Sequence, residues 1–162
     1  MTTLTENSLE ESFLRINKLA DQGKISQALS LCKKLFLDFP EHPRVLHAMG
    51  LLSYRSGDRD AAENFLQKAI ALKPDYVDAY FNLGNCYRHA FKLDEAANYL
   101  KSALDLDPYH YKALSSYALL LLKQKKYHDA LVCCDTAIAV NSRKPEAYIA
   151  KGSILCLLYT SR

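Results

Sequence analysis

The chain has 162 residues, 49% of them apolar, and its 21 basic and 18 acidic side chains leave a net charge of +3. This is too apolar for a disordered segment and enough for a packed core, and the mild charge is far from the strongly basic footprint of a dedicated nucleic-acid binder. The polar, acidic stretch Met1 to Glu11 shows neither the basic nor the apolar region of a secretory signal, and the apolar runs Ala118 to Leu122 and Ile154 to Tyr159 are too short to span a membrane.

A fixed period organises the rest. Ala28, Ala62, Ala96 and Ala130 fall 34 residues apart, and Pro40, Pro74 and Pro108 keep the same beat. Gly50, Gly84 and Gly152 share another phase of it, with Ala118 in the gap between the last two. Self-similarity at this spacing predicts one small unit stacked several times. In chain order, a frayed or disordered segment 1–8 precedes units 9–42, 43–76, 77–110 and 111–144 and a partial unit 145–155.

The first unit is the least regular, with Ser12, Arg15 and Ile16 where the third unit has Tyr80, Leu83 and Gly84. In the second, Gly57 marks a bend between two helices, where a left-handed backbone is cheap only for glycine. Phe91 and Lys125 hold that position in the next two units. The same bend there costs roughly 1 kcal/mol each, so these bends are the ones expected to differ.

The third unit is the clearest. Tyr80, Leu83, Gly84 and Tyr87 follow the i, i+3, i+4, i+7 spacing of one helix face, and Leu93, Ala96, Ala97, Leu100, Ala103 and Leu104 repeat the pattern in a second helix. Asp107 and Pro108 then end it. In the fourth unit Ser142 replaces the proline, and the fifth opens with Pro145, Glu146, Ala147, Tyr148, Ala150 and Gly152. The small residues predict close helix contacts, and Leu46, Tyr80, Leu114, Tyr148 and Phe36, Ile70, Leu104, Ile138 fill the space between. The cysteines Cys32, Cys86, Cys133, Cys134 and Cys156 form no CxxC pair and lie in predicted helices. They read as reduced, mostly core thiols, which suits a cytoplasmic protein.

Tyr80, Leu83-Gly84, Tyr87, Ala96, Ala103 and Pro108 together resemble the tetratricopeptide repeat, over about residues 9–155. The resemblance implies an all-α fold: a right-handed superhelical solenoid of antiparallel helix pairs, four units plus the first helix of a fifth. It also implies a concave groove lined by first-helix positions. Carried over position by position, the groove takes Arg44, His47, Leu51, Tyr54 and Arg55 from the second unit. The third gives Asp78, Phe81, Asn82, Asn85, Arg88 and His89, and the fourth Lys112, Ser115, Ser116, Leu119 and Lys123. Asn82 and Asn85 offer a peptide backbone a donor and an acceptor together. Arg44, Arg88 and Lys112 suit carboxylates or phosphates. Each position also fits a merely solvated face. Relatives that clamp a C-terminal carboxylate use a Lys and Asn set that only Asn82 and Lys112 match here, while His47, Leu51 and Ser116 depart from it. A chaperone-tail clamp is not expected.

No GxSxG, phosphate-binding Gly loop or HExxH motif is present. His42, His47, His89, His110 and His128 lack metal-ligand spacing, and no cofactor is expected. Asp58, Asp60, Asp94 and Glu95 fall at helix starts, where capping explains them better than acid–base work. Two functions remain: a module binding an extended, acidic peptide or partner segment, without nucleic acid or membrane, or the N-terminal substrate-presenting arm of a larger enzyme. The stretch from Gly50 to Arg88 resembles the repeat arms that precede bacterial glycosyltransferase or sulfotransferase domains. The last seven residues, from Cys156 to Arg162, resemble a reading frame of a transposase adapter, so non-native read-through is expected there, the alternative being a natural helix end. The apolar final helix predicts self-association.

Overall fold

The computed structural model describes residues 6–160, and those residues form nine α-helices and no strand. The helices are α1 (Glu6–Asp21), α2 (Ile25–Asp38), α3 (Pro43–Ser56), α4 (Arg59–Leu72), α5 (Val77–His89), α6 (Leu93–Leu106), α7 (Tyr111–Lys123), α8 (Tyr127–Val140) and α9 (Pro145–Thr160). They pair into helical hairpins that follow the 34-residue period, an all-α repeat solenoid. Of the segment 1–8 expected to fray, residues 1–5 lie outside the described residues, whereas Glu6, Asn7 and Ser8 are the first residues of α1. The final heptapeptide does not break the last helix, which runs through Leu155 and on to Thr160; residues 161–162 lie outside the described part.

Every hairpin bend has one geometry. One residue in each bend, one or two beyond the end of the first helix, has a positive φ: 74° at Gly23, 93° at Gly57, 60° at Phe91 and 61° at Lys125. The next amide closes the helix end in every case, from Lys24 to Leu19 O, Asp58 to Ser53 O, Lys92 to Tyr87 O and Lys126 to Leu121 O, at 2.9–3.0 Å. This is the six-to-one bond that satisfies a helix's orphan carbonyls. Phe91 and Lys125 therefore do not take a different bend. They accept the left-handed strain because the hairpin that follows is fixed by packing.

The second helices stop where the sequence says. The prolines Pro40, Pro74 and Pro108 stand two residues beyond α2, α4 and α6, and α8 ends at Val140 with Asn141 bonding back to Ala137 O at 3.0 Å. Asp58 caps α4, its Oδ1 accepting from Ala61 N at 3.0 Å. Asp60, Asp94 and Glu95 sit in first turns, where a carboxylate meets the positive helix end.

The chain divides into two compact units, one ending at Pro74 and the other starting at Asp75. In the first, α1 and α2 enclose Leu9, Phe13, Ile16, Ala28, Cys32 and Leu35, and α3 closes that core with Val45, Met49 and Leu52. In the second, α5 pairs with α6 and α7 with α8, α5 touches α7, and α7 touches α9. The first helices of this unit thus form one layer and the second helices cover it.

The recurrent small residues mark where hairpin partners meet. A Cβ on Gly50 would lie 2.7 Å from Leu66 Cγ, and one on Gly84 would lie 2.8 Å from Leu100 Cγ and 3.2 Å from the Leu100 backbone nitrogen. Leu66 and Leu100 are fully buried. In the other hairpins the two sizes shift together: Ile16 shares its core with Cys32, and Ala118 with Cys134.

Candidate functional site

The groove positions fall on α3 in the first unit and on α5 and α7 in the second. On α3, Arg44 is held rather than extended. Its guanidinium donates to both carboxylate oxygens of Glu10, Nη2 to Oε2 at 3.1 Å, and lies 4.4 Å above the Phe13 ring centroid. This pairing holds the Glu10 carboxyl below its usual pKa range. Arg55 is drawn to the end of α1, where Nη2 donates to Ala20 O at 2.7 Å, one of the last carbonyls of that helix. That contact ties α3 to α1, so Arg55 is a structural tie. His47, Leu51 and Tyr54 are half-buried along the same helix.

The second unit carries the denser cluster. Along α5, Asp78, Phe81, Asn85 and Arg88 form one row at three- and four-residue steps, and Asp78, Asn82, Asn85 and His89 form the neighbouring one. Arg88 Nε donates to Asn85 Oδ1 at 3.1 Å, and its Nη2 lies 2.9 Å from His89 Nε2. The guanidinium is thereby oriented, and Asn82 lies half-buried on the same helix. On α7, Lys112 is exposed at the start, Leu119 is exposed further along and Lys123 stands at the end. Lys123 Nζ sits 5.0 Å over the ring of Phe91, so this ammonium belongs to the rim of the α5–α6 bend. Between them Ser115 and Ser116 are half-buried, and the buried Ser115 Oγ has no hydrogen-bond partner.

His110 belongs to this cluster and was not singled out from the sequence. It precedes α7, its Nδ1 accepts from Ala113 N at 3.1 Å as a helix cap, its Nε2 lies 3.4 Å from Asp78 Oδ1, and its ring centroid is 5.4 Å from that of Phe81. The signal was available: His42 and His110 stand two periods apart in the residue before a first helix. Asn85 likewise holds a neighbouring side chain, which spacing alone does not show.

The face bears Arg88, Lys112 and Lys123 against the one carboxylate Asp78. It offers fixed donors and half-buried aromatic surface, suited to holding an anionic or amide-bearing chain. Among the described residues no group of three or more His, Cys, Asp or Glu side chains could hold a metal ion, and no helix is long and apolar enough to cross a membrane.

Two family models match, both described as tetratricopeptide repeat, over residues 47–111 and 88–154. Among curated proteins the chain is similar to the BBSome complex member BBS4 homolog of Drosophila melanogaster, with 24% identity over 146 residues, 90% of this chain and 28% of that protein. It spans between 12% and 28% of the first curated relatives it matches. Among solved structures it is similar to YrrB, described as a TPR protein with an unusual peptide-binding site, at TM-score 0.72 and 21% identity over 87% of this chain and 73% of that one. It is also similar to a Thermobaculum terrenum O-GlcNAc transferase, at TM-score 0.75 and 21% identity over 86% of this chain and 27% of that one. These structural likenesses support the fold. With the repeat models together spanning residues 47–154, the chain belongs to the tetratricopeptide repeat family.

Proposed function

We propose that this chain binds an extended, acidic peptide or partner segment along the α5–α7 face, with no chemistry of its own. Tetratricopeptide repeats are protein-interaction modules and a non-catalytic scaffold; the particular face and the acidic preference are the further step. The observation that carries it is Arg88, whose guanidinium is oriented by Asn85 Oδ1 on the helix face that also presents Asn82 and Phe81. An oriented guanidinium meets a carboxylate at lower entropic cost than a freely moving one. Asn82 would hold the ligand backbone, Phe81 its apolar side chains, and Lys112 a second anionic group. The unbridged thiols support placement in a reducing, cytoplasmic compartment.

Panning a random peptide library against the full chain tests this. Enrichment of Asp- or Glu-containing peptides is expected, and Asn82→Ala with Arg88→Ala should weaken their binding while leaving helical circular dichroism unchanged. Enriched peptides without acidic residues, or binding that the double variant does not weaken, would overturn the reading.

The O-GlcNAc transferase likeness supports a second reading, a repeat arm that presents substrate to a catalytic domain encoded elsewhere in a longer protein. The α5–α7 face would then hold the polypeptide substrate. Sequencing the natural gene beyond the codon for Leu155 distinguishes the two.

A further inference from the structure

The first unit holds a cleft that none of the groove positions on α3 lines. Its volume is about 410 Å³, and its walls are Phe36 from α2, Glu41 from the α2–α3 turn, Leu46 from α3, and Lys68, Ala71 and Leu72 from α4. Leu46 is fully buried. Phe36 is half-buried and held edge-on against Phe65, with ring centroids 5.5 Å apart. Glu41 and Lys68 are exposed, and among the described residues neither side chain is paired, with the other or elsewhere. The 34-residue period shows what is particular to this cleft. Glu41, Leu46, Lys68 and Ala71 stand where the next set of positions has Asp75, Tyr80, Ser102 and Asp105, and the one after it Tyr109, Leu114, Thr136 and Ala139. The first of the three sets is the one that combines a carboxylate, an ammonium and two aliphatic side chains.

We propose that this cleft binds a small zwitterion with an apolar side chain, an α-amino acid of the leucine or phenylalanine type. The volume lies at the small end of the range for ligand sites. Phe36, Leu46, Ala71 and Leu72 take the apolar side chain out of water, which supplies most of the affinity. The ligand ammonium donates to the Glu41 carboxylate, and the Lys68 ammonium donates to the ligand carboxylate. These two groups come from different elements, line one cleft and do not pair with each other, so a ligand bearing both charges can stand between them. Charge sorts the alternatives. A plain carboxylate meets Lys68 but is repelled by Glu41, a plain amine meets Glu41 but is repelled by Lys68, and the neutral amides of a peptide segment leave both charges unmet. Because both protein charges stay in water, each contributes modestly, and the dissociation constant falls in the millimolar class. This site is independent of the α5–α7 face.

The probe is L-phenylalanine, titrated into the full chain and followed by saturation-transfer NMR. Its two comparators are 3-phenylpropionate and phenethylamine, which keep the ring and each lack one charge. Saturable binding of phenylalanine to one site is expected, with both comparators weaker by about threefold or more. Ala71→Asp should abolish binding, because it fills the apolar wall and sets a carboxylate beside Lys68. The fold should tolerate it, since α6 carries exposed Asp105 at the same position. Lys68→Ser, the residue of α6 at that position, changes an exposed side chain and leaves the core intact. It should weaken phenylalanine by about threefold while phenethylamine binds no less tightly than before. Arg88→Ala should have no effect, which separates this site from the α5–α7 face. Absence of saturable binding overturns the proposal. So does equal affinity for the three compounds, or phenylalanine binding that Lys68→Ser leaves unchanged, since the ring alone would then be held by exposed apolar surface.

Discussion

His42 and His110 occupy one position of the repeat and do different work. His110 caps α7 through Nδ1. His42 precedes α3, but its Nδ1 is buried without a hydrogen-bond partner, and its ring centroid lies 6.4 Å from those of Phe13 and Phe39. Burial pushes its pKa below the ordinary 6.5, Arg44 pushes the same way, and Glu10 opposes them. The folded chain then binds fewer protons at this site than the unfolded chain. Stability from this site is complete above pH 6.5 and is lost as pH falls through that value, until the folded state also takes up the proton. Glu10, lowered from 4.5, acts in the same direction in a separate and more acidic window. Thermal melts on either side of pH 6.5 should therefore show a loss of Tm on acidification, and His42→Leu should reduce that loss. Leucine also removes an unsatisfied polar atom and takes no cap with it, so the variant should hold its stability at neutral pH. An undiminished acid loss in His42→Leu would place the titration at another histidine.

At the scale of the helix pair, the register was legible because it is written in residue size. Glycine at positions 50 and 84 announced a close contact, and the structure sets Leu66 and Leu100 against them. What the sequence did not disclose was compensation. Ile16 looked like a defect in a degenerate unit, yet it is buried beside small Cys32, so the same space is filled with the sizes exchanged. The bends were misjudged for a related reason. Phe91 and Lys125 lack the freedom of glycine, but packing of the hairpin outweighs a local penalty of about 1 kcal/mol. The candidate groove was legible only as positions; that Arg44 pairs with Glu10 and Arg55 with a carbonyl of α1 depends on side-chain paths that spacing does not encode. The glycines themselves give opposite expectations under one substitution. Gly84→Ala should destabilise by about 1–3 kcal/mol, because the new Cβ meets Leu100 Cγ and backbone together. Gly152→Ala should stabilise by up to about 1 kcal/mol, since it gains helix propensity and meets nothing. Chemical denaturation of both variants checks this, and a loss at both positions would mean that something already covers α9.

Across the whole chain, the five thiols are distributed so that they report on opening. Cys156 is exposed, whereas Cys32, Cys86 and Cys134 are buried and Cys133 is half-buried. Burial pushes the Cys32 thiol up to about 12 and Cys133 up to about 11, so at neutral pH neither offers thiolate while the chain stays folded. A repeat array holds its stability as a sum over units and their nearest neighbours, so it opens in parts. An aromatic disulfide reagent added to the native protein should therefore modify Cys156 promptly and the other four slowly, with all five reacting at once in denaturant. The slow phase carries the larger question. Cys32 lies in the unit ending at Pro74, and Cys86, Cys133 and Cys134 lie in the unit from Asp75 onward. Gly84→Ala weakens a contact inside the second unit, so it should accelerate labelling of Cys86, Cys133 and Cys134, read by peptide mass spectrometry, more than labelling of Cys32. Equal acceleration at all four would show that the chain opens as one cooperative body, and the partition of stability by repeat would not hold for it.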